Sequence, residues 1–317
     1  QISAKTVFNG TFFNKFNKYT TDQFVQREEF RKLKINAEFN LLRKSDYNNL
    51  YQYGDYIISQ TYPLNEKSVL NISKKINQIY EQYLTDQNNV YFTIVPDKNY
   101  FINDENLKLD YNKLENLLNR NLSFAKYIRI FDMLELEDYY KTDTHWKQER
   151  LLKVAKTIAE SMNVNLENEY KEKTICDFQG TYSGQLPIST AKDKIKILTN
   201  SEIEKSKVYN YETKKENKVY NMEKINSLDK YDIYLSGATP VLKIENPENK
   251  TGNELIIFRD SYASSLVPLF IHKYSKITLI DTRYISPKLL PNYVEFNNQD
   301  ILFMYSTLVI NNSYSLK

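Results

Sequence analysis

Apolar residues follow two different patterns along the chain. One pattern repeats at the spacing of a helical turn and predicts amphipathic helices, which cover residues 12–48, 66–84, about 109–122 and 147–162. The other is a short, continuous, β-prone run, typical of strands buried on both faces of a parallel sheet; such runs lie at Val90–Val95, around 127–131, and at 254–258, 276–281 and 300–308. A further helix is predicted at 262–271, where Pro268 shortens or kinks it. This alternation of strands and helices predicts an α/β layer structure.

Two segments depart from the alternation. Residues from about 170 to 250 contain three of the six glycines and short tyrosine- and valine-containing stretches in charged sequence, which predicts an irregular, partly β insertion. Residues 1–60 are predicted as an N-terminal helical segment, in which Gly54-Asp55 sets off a short apolar stretch. No internal repeat is present, so we interpret residues 1–317 as a single domain.

Charge and composition exclude several classes of function. The 43 basic and 40 acidic residues leave a net charge of +3, too balanced for a protein that binds nucleic acid through its bulk charge. A single cysteine, Cys176, excludes an intramolecular disulfide framework, and we interpret it as a free thiol. With only two histidines, His145 and His272, a histidine-rich metal site is not expected; His272 ends a helix without a nearby acid and is interpreted as structural.

The longest apolar runs, 255–258 and 266–271, are far shorter than the roughly 18–20 residues of a membrane span. The chain begins with Gln1 and not with methionine, so we expect a processed or truncated product. The sequence is therefore compatible with the loss of a signal peptide or of an N-terminal membrane anchor.

The first candidate cluster for chemistry is Thr-Asp-Thr-His-Trp at 142–146, directly before a predicted helix. An imidazole that acts as a general base needs a carboxylate on its other ring nitrogen, and in a loop Asp143 can turn towards His145. The alternative is that Asp143 or Thr144 caps the helix while His145 and Trp146 pack beneath it.

The second cluster is Phe-Arg-Asp-Ser-Tyr at 258–262, where a strand runs into a turn and a helix. Ser261 is thereby placed at the carboxyl end of a strand, where open α/β sheets present nucleophilic hydroxyls. The following helix offers backbone N–H groups to a developing oxyanion. The alternative is an ordinary helix cap. Taken together, the clusters supply a serine, a base and a carboxylate at two strand–helix junctions.

These motifs resemble a known family. The motif at 142–146, followed more than a hundred residues later by Arg-Asp-Ser-Tyr-Ala at 259–263, resembles the DHHW protein family of Gram-positive bacteria. Further similar stretches lie at 16–30, 95–98, 177–184 and 281–284, so the resemblance covers most of the chain. That family is similar to the SGNH-like acetyltransferases of the alginate O-acetylation machinery. The resemblance implies an SGNH-hydrolase-like fold with an open, mostly parallel sheet flanked by helices.

The resemblance also implies roles for individual residues. Ser261 corresponds to the nucleophile, His145 to the general base and Asp143 to the carboxylate that orients it. Oxyanion or substrate binding is expected from the Ser261 N–H and from a further group of residues: Gly180, Arg259, Tyr262, Trp146, Arg283 and Tyr284. The chain departs from the family pattern twice, with Thr144 in place of the first histidine and Arg259 in place of the glycine of SGNH enzymes. No metal and no organic cofactor is implied.

The function implied is an extracellular polysaccharide O-acetyltransferase with an acetyl-serine intermediate. The expected partners are a polysaccharide acceptor and a membrane-bound O-acyltransferase that supplies the acetyl donor, and not nucleic acid. The expected location is the extracellular face of a Gram-positive bacterial membrane, or the medium after secretion. Two alternatives stay open: a carbohydrate acetylesterase, and a catalytically inactive protein that binds glycan or serves as a scaffold in an acetylation complex.

Overall fold

The computed structural model describes residues 48–102, 107–186 and 191–317. The helix predicted over 12–48 lies outside these residues except for Asn48. Twelve strands are formed in the described ranges: β1 Leu50–Tyr53, β2 Tyr56–Ser59, β3 Val90–Val95, β4 Lys126–Ile128, β5 Lys171–Phe178, β6 Asp193–Thr199, β7 Lys207–Asn210, β8 Lys215–Asn217, β9 Val241–Glu245, β10 Glu254–Arg259, β11 Lys276–Ile280 and β12 Asp300–Ser306.

Eight of these strands form one sheet in the order β4-β3-β12-β10-β11-β9-β7-β8. The first five are parallel, whereas β9, β7 and β8 continue the sheet in antiparallel fashion. In the centre, Phe258 of β10 pairs with Phe303 of β12 on one side and with Ile280 of β11 on the other. The carboxyl ends of the five parallel strands therefore meet at one edge of the sheet, as predicted for an open, mostly parallel arrangement.

Seven α-helices accompany the strands in the described ranges: α1 Glu66–Tyr83, α2 Tyr111–Asn121, α3 Leu152–Ser161, α4 Thr181–Gln185, α5 Ser201–Lys205, α6 Ala263–Leu266 and α7 Thr307–Asn311. None of them is both long and apolar enough to cross a membrane.

Alternate side chains of the central strands enter two apolar cores on opposite faces of the sheet. In β10, Leu255 and Ile257 belong to the core that also contains α3 and α6. Their neighbours Ile256 and Phe258 belong to the core that contains α1 and α2. Because both faces are covered, the strand sequences are almost entirely apolar, which is why continuous runs identified them.

The structure corrects three details of the predicted elements. Residues 50–59 are not helical: β1 and β2 form an antiparallel hairpin whose turn contains Gly54 with a φ of 54°. The helix predicted at 262–271 is α6 followed by the 3-10 helix Val267–Lys273, because Pro268 cannot continue the α-helical hydrogen bonds. The segment from 170 to 250 is partly β as predicted, but β7 and β9 extend the main sheet, while β5 and β6 pair separately.

Candidate active site

The loop that carries Asp143 and His145 is closed by its own backbone. The N–H of Tyr140 donates to the carbonyl of His145 at 3.0 Å, and Tyr139 and Trp146 form an antiparallel bridge. The next α-helix, α3, begins at Leu152 and has Leu151 at its N-cap position. No side chain of this loop forms a capping hydrogen bond with it. The alternative in which Asp143 or Thr144 caps a helix is therefore wrong.

Ser261 follows directly after β10, at the edge where the parallel strands end. The carboxylate of Asp260 accepts from the N–H of Ser306 at 2.7 Å and from the N–H of Tyr262 at 3.1 Å, which ties the serine turn to the end of β12. Helix α6 receives no side-chain cap. The Ser261 hydroxyl therefore does not cap this helix, and its hydrogen-bond partner is a residue of another loop.

That partner is His145. Its Nε2 lies 2.7 Å from Oγ of Ser261, and its Nδ1 lies 2.6 Å from Oδ1 of Asp143. The other oxygen of Asp143 accepts from the N–H and the hydroxyl of Thr181, at 2.9 and 3.0 Å. The structure thus brings the three residues into one hydrogen-bonded chain, with the serine half-buried at its outer end and the aspartate fully buried at its inner end.

The electrostatics of this chain keep Asp143 ionised. Burial alone would raise the pKa of the Asp143 carboxyl, but the charge and hydrogen bonds of His145 and the N–H of Thr181 hold it well below its usual range. A permanently charged carboxylate fixes the proton of the imidazole on Nδ1. Nε2 is then free to accept the proton of the Ser261 hydroxyl.

A ring that was not predicted from the sequence covers the base. Tyr231, in the 3-10 helix Lys230–Ile233, stacks on the imidazole of His145 with 3.8 Å between ring centroids and 6° between planes. Its hydroxyl lies 2.7 Å from Oγ of Ser265. Tyr231 carries no signal in the sequence, because it lies in the segment that lacks a helical or strand period. Thr181 lies in the family-like stretch at 177–184, but no pattern there marks it as a partner of Asp143.

Gly180 was expected to donate to an oxyanion, and the structure corrects this. Its N–H donates to the hydroxyl of Thr142 at 2.9 Å and is not available to a substrate. A Cβ at Gly180 would lie 2.2 Å from Cβ of Asp143. Gly180 therefore leaves the space that Asp143 fills. Within the described residues, the N–H of Ser261 has no acceptor and can serve as an oxyanion donor.

Arg259 does not reach a substrate surface. Its side chain is fully buried and donates to Oγ of Ser264 at 2.9 Å and to the carbonyl of Gly237 at 3.3 Å. Burial lowers the pKa of this guanidinium. Nε has no partner. Arg259 thus anchors the segment that precedes β9 to the helix after Ser261.

Trp146 and Tyr262 are also buried, which corrects their expected role in substrate contact. The indole N–H of Trp146 donates to the carbonyl of Tyr262 and to Oγ of Ser265, each at 3.0 Å. The hydroxyl of Tyr262 donates to the carbonyl of Thr144 at 2.7 Å. Both side chains hold the base loop against the serine helix.

Arg283 and Tyr284 follow β11 and so lie at the same edge of the sheet as Ser261. Arg283 makes a two-point ion pair with Asp281, at 2.9 and 2.6 Å, and lies 5.4 Å from the ring centroid of Tyr284. The Tyr284 side chain is 47 % exposed. Of the six residues proposed for oxyanion or substrate binding, these two leave side-chain surface open to a ligand.

The remaining titratable candidates, His272 and Cys176, form no hydrogen bond with the triad within the described residues. His272 was expected to lack an acidic neighbour, but its Nδ1 lies 2.7 Å from a carboxylate oxygen of Glu202 in α5. Cys176 is a free, half-buried thiol in β5, and burial raises its pKa. In the described ranges, no three His, Cys, Asp or Glu side chains converge in a way that could hold a metal ion.

No protein-family model matches the chain, and no curated protein sequence matches it. Solved structures do. A DHHW family protein from Eubacterium siraeum superimposes with a TM-score of 0.66 at 22% identity, over 84% of this chain and 93% of that one. The chain has the fold of a DHHW protein. The predicted SGNH-hydrolase-like fold is thereby confirmed.

Two further structures share this DHHW fold. Bacillus cereus PatB1 with a sulfonyl adduct matches with a TM-score of 0.65 at 15% identity, over 82% of this chain and 97% of that one. The O-acetyltransferase domain of Pseudomonas putida AlgJ matches with a TM-score of 0.52 at 10% identity, over 83% and 92%.

Proposed function

We propose that this chain is a polysaccharide O-acetyltransferase that acts through an acetyl-serine at Ser261. The observation that carries the proposal is the hydrogen-bonded chain from Asp143 through His145 to Ser261, with distances of 2.6 and 2.7 Å. The fold shared with an O-acetyltransferase domain, and with a protein that carries a sulfonyl adduct, supports it.

The geometry suits a two-step acyl transfer. Nε2 of His145 takes the proton of the Ser261 hydroxyl while Oγ attacks the carbonyl carbon of an acetyl ester. The tetrahedral intermediate collapses as the donor's C–O bond breaks, and the imidazolium returns the proton to the leaving alcohol. A glycan hydroxyl then gives its proton to Nε2, attacks the acetyl-serine and releases the Ser261 oxygen, which recovers the proton. The Ser261 N–H stabilises the oxyanion in both steps.

The donor and the location belong to the same proposal. An acetyl group reaching the outside of a cell needs a carrier, and a membrane-bound O-acyltransferase would supply it. The polysaccharide acceptor would then be modified on the extracellular face of a Gram-positive bacterial membrane, or after secretion.

A carbohydrate acetylesterase is the second candidate, and the partial exposure of Ser261 favours it. A hydroxyl at a half-open edge of the sheet is accessible to water, and water in place of the glycan hydroxyl would complete a hydrolysis. With a neutral oligosaccharide as acceptor, the ratio of acetylated sugar to free acetate separates the two activities. Acetate release that does not fall when acceptor is added would favour the esterase.

The proposal is tested with a chromogenic acetyl ester and with a sulfonyl fluoride, each followed by intact-mass spectrometry. We expect the wild type and Ser201→Ala, a change at an exposed serine of α5, to release chromophore and to gain one sulfonyl group. We expect Ser261→Ala to lose at least about 10³-fold in kcat/KM and to gain no sulfonyl group.

Equal ester release by the wild type and Ser261→Ala would contradict a nucleophilic role for this serine. A wild type that neither turns over the ester nor reacts with the sulfonyl fluoride would favour the inactive scaffold.

A further inference from the structure

The imidazole of His145 is covered on one face by a tyrosine from a distant part of the chain. Tyr231 lies parallel to it, with ring centroids 3.8 Å apart and planes inclined by 6°. Tyr262 approaches the same imidazole at 5.0 Å and an angle of 58°, so its contact is tilted. Of these two rings, Tyr231 is the one that presents the full face of its π-system to the base.

The orientation of Tyr231 is fixed by the helix that follows the nucleophile. Its hydroxyl lies 2.7 Å from Oγ of Ser265, four residues after Ser261. The same oxygen accepts from the indole N–H of Trp146 at 3.0 Å. Trp146 is the sequence neighbour of His145, so one serine hydroxyl holds both the loop of the base and the ring stacked on the base.

We propose that Tyr231, oriented by Ser265, is a positioning residue that keeps the His145 imidazole in the plane of Asp143 and Ser261 and stabilises the imidazolium formed during acyl transfer. This inference rests on the proposed function, since it assigns the base of that reaction. The electron-rich face of a tyrosine attracts a cation at such a distance, while a neutral imidazole gains less. The stack therefore favours the protonated base, which is the state that accompanies the tetrahedral intermediate.

Other charges face the same imidazole and have to stay constant in a test. Asp143 bonds to it from its own loop, and Ser261 contacts it from the end of β10. Asp229 and Asp232 come from the segment of Tyr231; burial raises the pKa of each carboxyl, and the charge of His145 lowers it. A substitution confined to the Tyr231 ring leaves these groups in place.

The experiment is an NMR titration of the imidazole signals, and the chain is well suited to it because only His145 and His272 contribute. The variant His272→Gln assigns the two sets of signals. Tyr231→Leu removes the π-face but keeps an apolar cover, whereas Tyr231→Phe keeps the face and removes the hydroxyl. We expect the midpoint of the His145 titration to fall by about half to one pH unit in Tyr231→Leu, and to fall less in Tyr231→Phe, which keeps the π-face but loses the hydrogen bond that orients it.

A midpoint that stays or rises in Tyr231→Leu would overturn the proposal. The His272 signals, from a side chain that is bonded to Glu202 and has no hydrogen bond to Tyr231, report whether the variant is folded. If Tyr231→Leu does not fold, the wild type decides: ring protons of His145 stacked on Tyr231 must show an upfield ring-current shift, and its absence would equally overturn the proposal. The titration needs no turnover, so an unreactive Ser261 would refute the acyl chemistry without affecting this measurement.

Discussion

At the scale of single residues, the position of Asp143 depends on a neighbour without a side chain. A Cβ at Gly180 would lie 2.2 Å from Cβ and 2.7 Å from the backbone Cα of Asp143, so the loop itself would have to move. By contrast, a Cβ at Gly184 meets no heavy atom within 4 Å. The two glycines, four residues apart, form a matched pair for substitution.

We expect Gly180→Ala to lower the free energy of unfolding by about 1–3 kcal/mol, as overpacking in a buried region does. Because a shift of about 1 Å in a catalytic group can reduce activity about 100-fold, kcat/KM for an acetyl ester should fall by a similar factor. Chemical denaturation and ester kinetics measure the two effects. Gly184→Ala should change neither, and a Gly180→Ala enzyme with full activity would contradict the assigned packing.

At the scale of elements, one buried lysine joins the hairpin, the sheet and the loop of the base. Lys98 follows β3 and is 3 % exposed; its ammonium donates to the carbonyls of Ile57 in β2, of Tyr140 at 3.1 Å and of Lys141 at 3.3 Å. Burial lowers the pKa of Lys98 to about 7, although the negative charge of Asp143 acts in the opposite direction. Among the described residues, no carboxylate forms a salt bridge with the Lys98 ammonium, whose hydrogen bonds go to backbone carbonyls.

This burial predicts a pH dependence of stability. In the unfolded chain the amine of Lys98 stays protonated up to about pH 10, whereas the folded protein releases that proton above about pH 7. Between these values the unfolded state binds more protons, so stability rises with pH. Relative to Lys98→Met, the free energy of unfolding of the wild type should increase by about 2 kcal/mol between about pH 7.5 and 9.5.

Urea denaturation at several pH values measures this difference. The control is Lys74→Met, at an exposed position of α1, which should run parallel to the wild type. If the difference between the wild type and Lys98→Met is constant over this range, Lys98 does not carry a depressed pKa.

The elements that the sequence predicts well are those whose side chains are buried on both faces. The run at Val90–Val95 is a strand with these bounds, because all six positions are buried and Thr93 is the one polar residue among them. The hairpin at 50–59 was missed, since four-residue strands are too short to show a period. Strands such as β7 and β8 lie at the sheet margin, where exposed lysines and glutamates hide the alternation.

The residues of the candidate site also differ in how well the sequence predicts them. Asp143, His145 and Ser261 were found because few residue types can form such a chain and because strand ends point to one edge of a sheet. The ring of Tyr231 and the hydroxyl of Thr181 could not be found, since long-range packing brings them to the site without any local signal. Trp146 and Arg259 are buried and therefore do not contact a substrate. The burial of polar side chains cannot be predicted from a single sequence.

At the scale of the whole molecule, stability is expected to decrease from the centre of the sheet to its margin. Strands β10 and β12 pair on both sides and lie between two apolar cores. Strand β8 pairs only with β7 and is largely exposed. We therefore expect the amides of β10 and β12 to exchange only through global unfolding, and the amides of β8 to exchange through local opening.

Hydrogen–deuterium exchange followed by mass spectrometry tests this order. We expect peptides that contain Glu254–Arg259 and Asp300–Ser306 to exchange slowest, and those that contain Lys215–Asn217 to exchange within the shortest labelling times. Exchange in β12 as fast as in β8 would mean that the sheet is not organised around its parallel centre.

The position of β12 has a consequence for the protein during its synthesis. It is the last strand of the described chain, yet it lies between β3 and β10 in the middle of the sheet. Until residues 300–306 have left the ribosome, β3 and β10 each have an unpaired edge. Unpaired edges of apolar strands can pair with other chains. Domains generally fold as units as they emerge, so this sheet cannot be completed until residues 300–306 have been synthesised. A nascent chain stalled before residue 300 should therefore depend on chaperones, even if a chain that contains β12 does not.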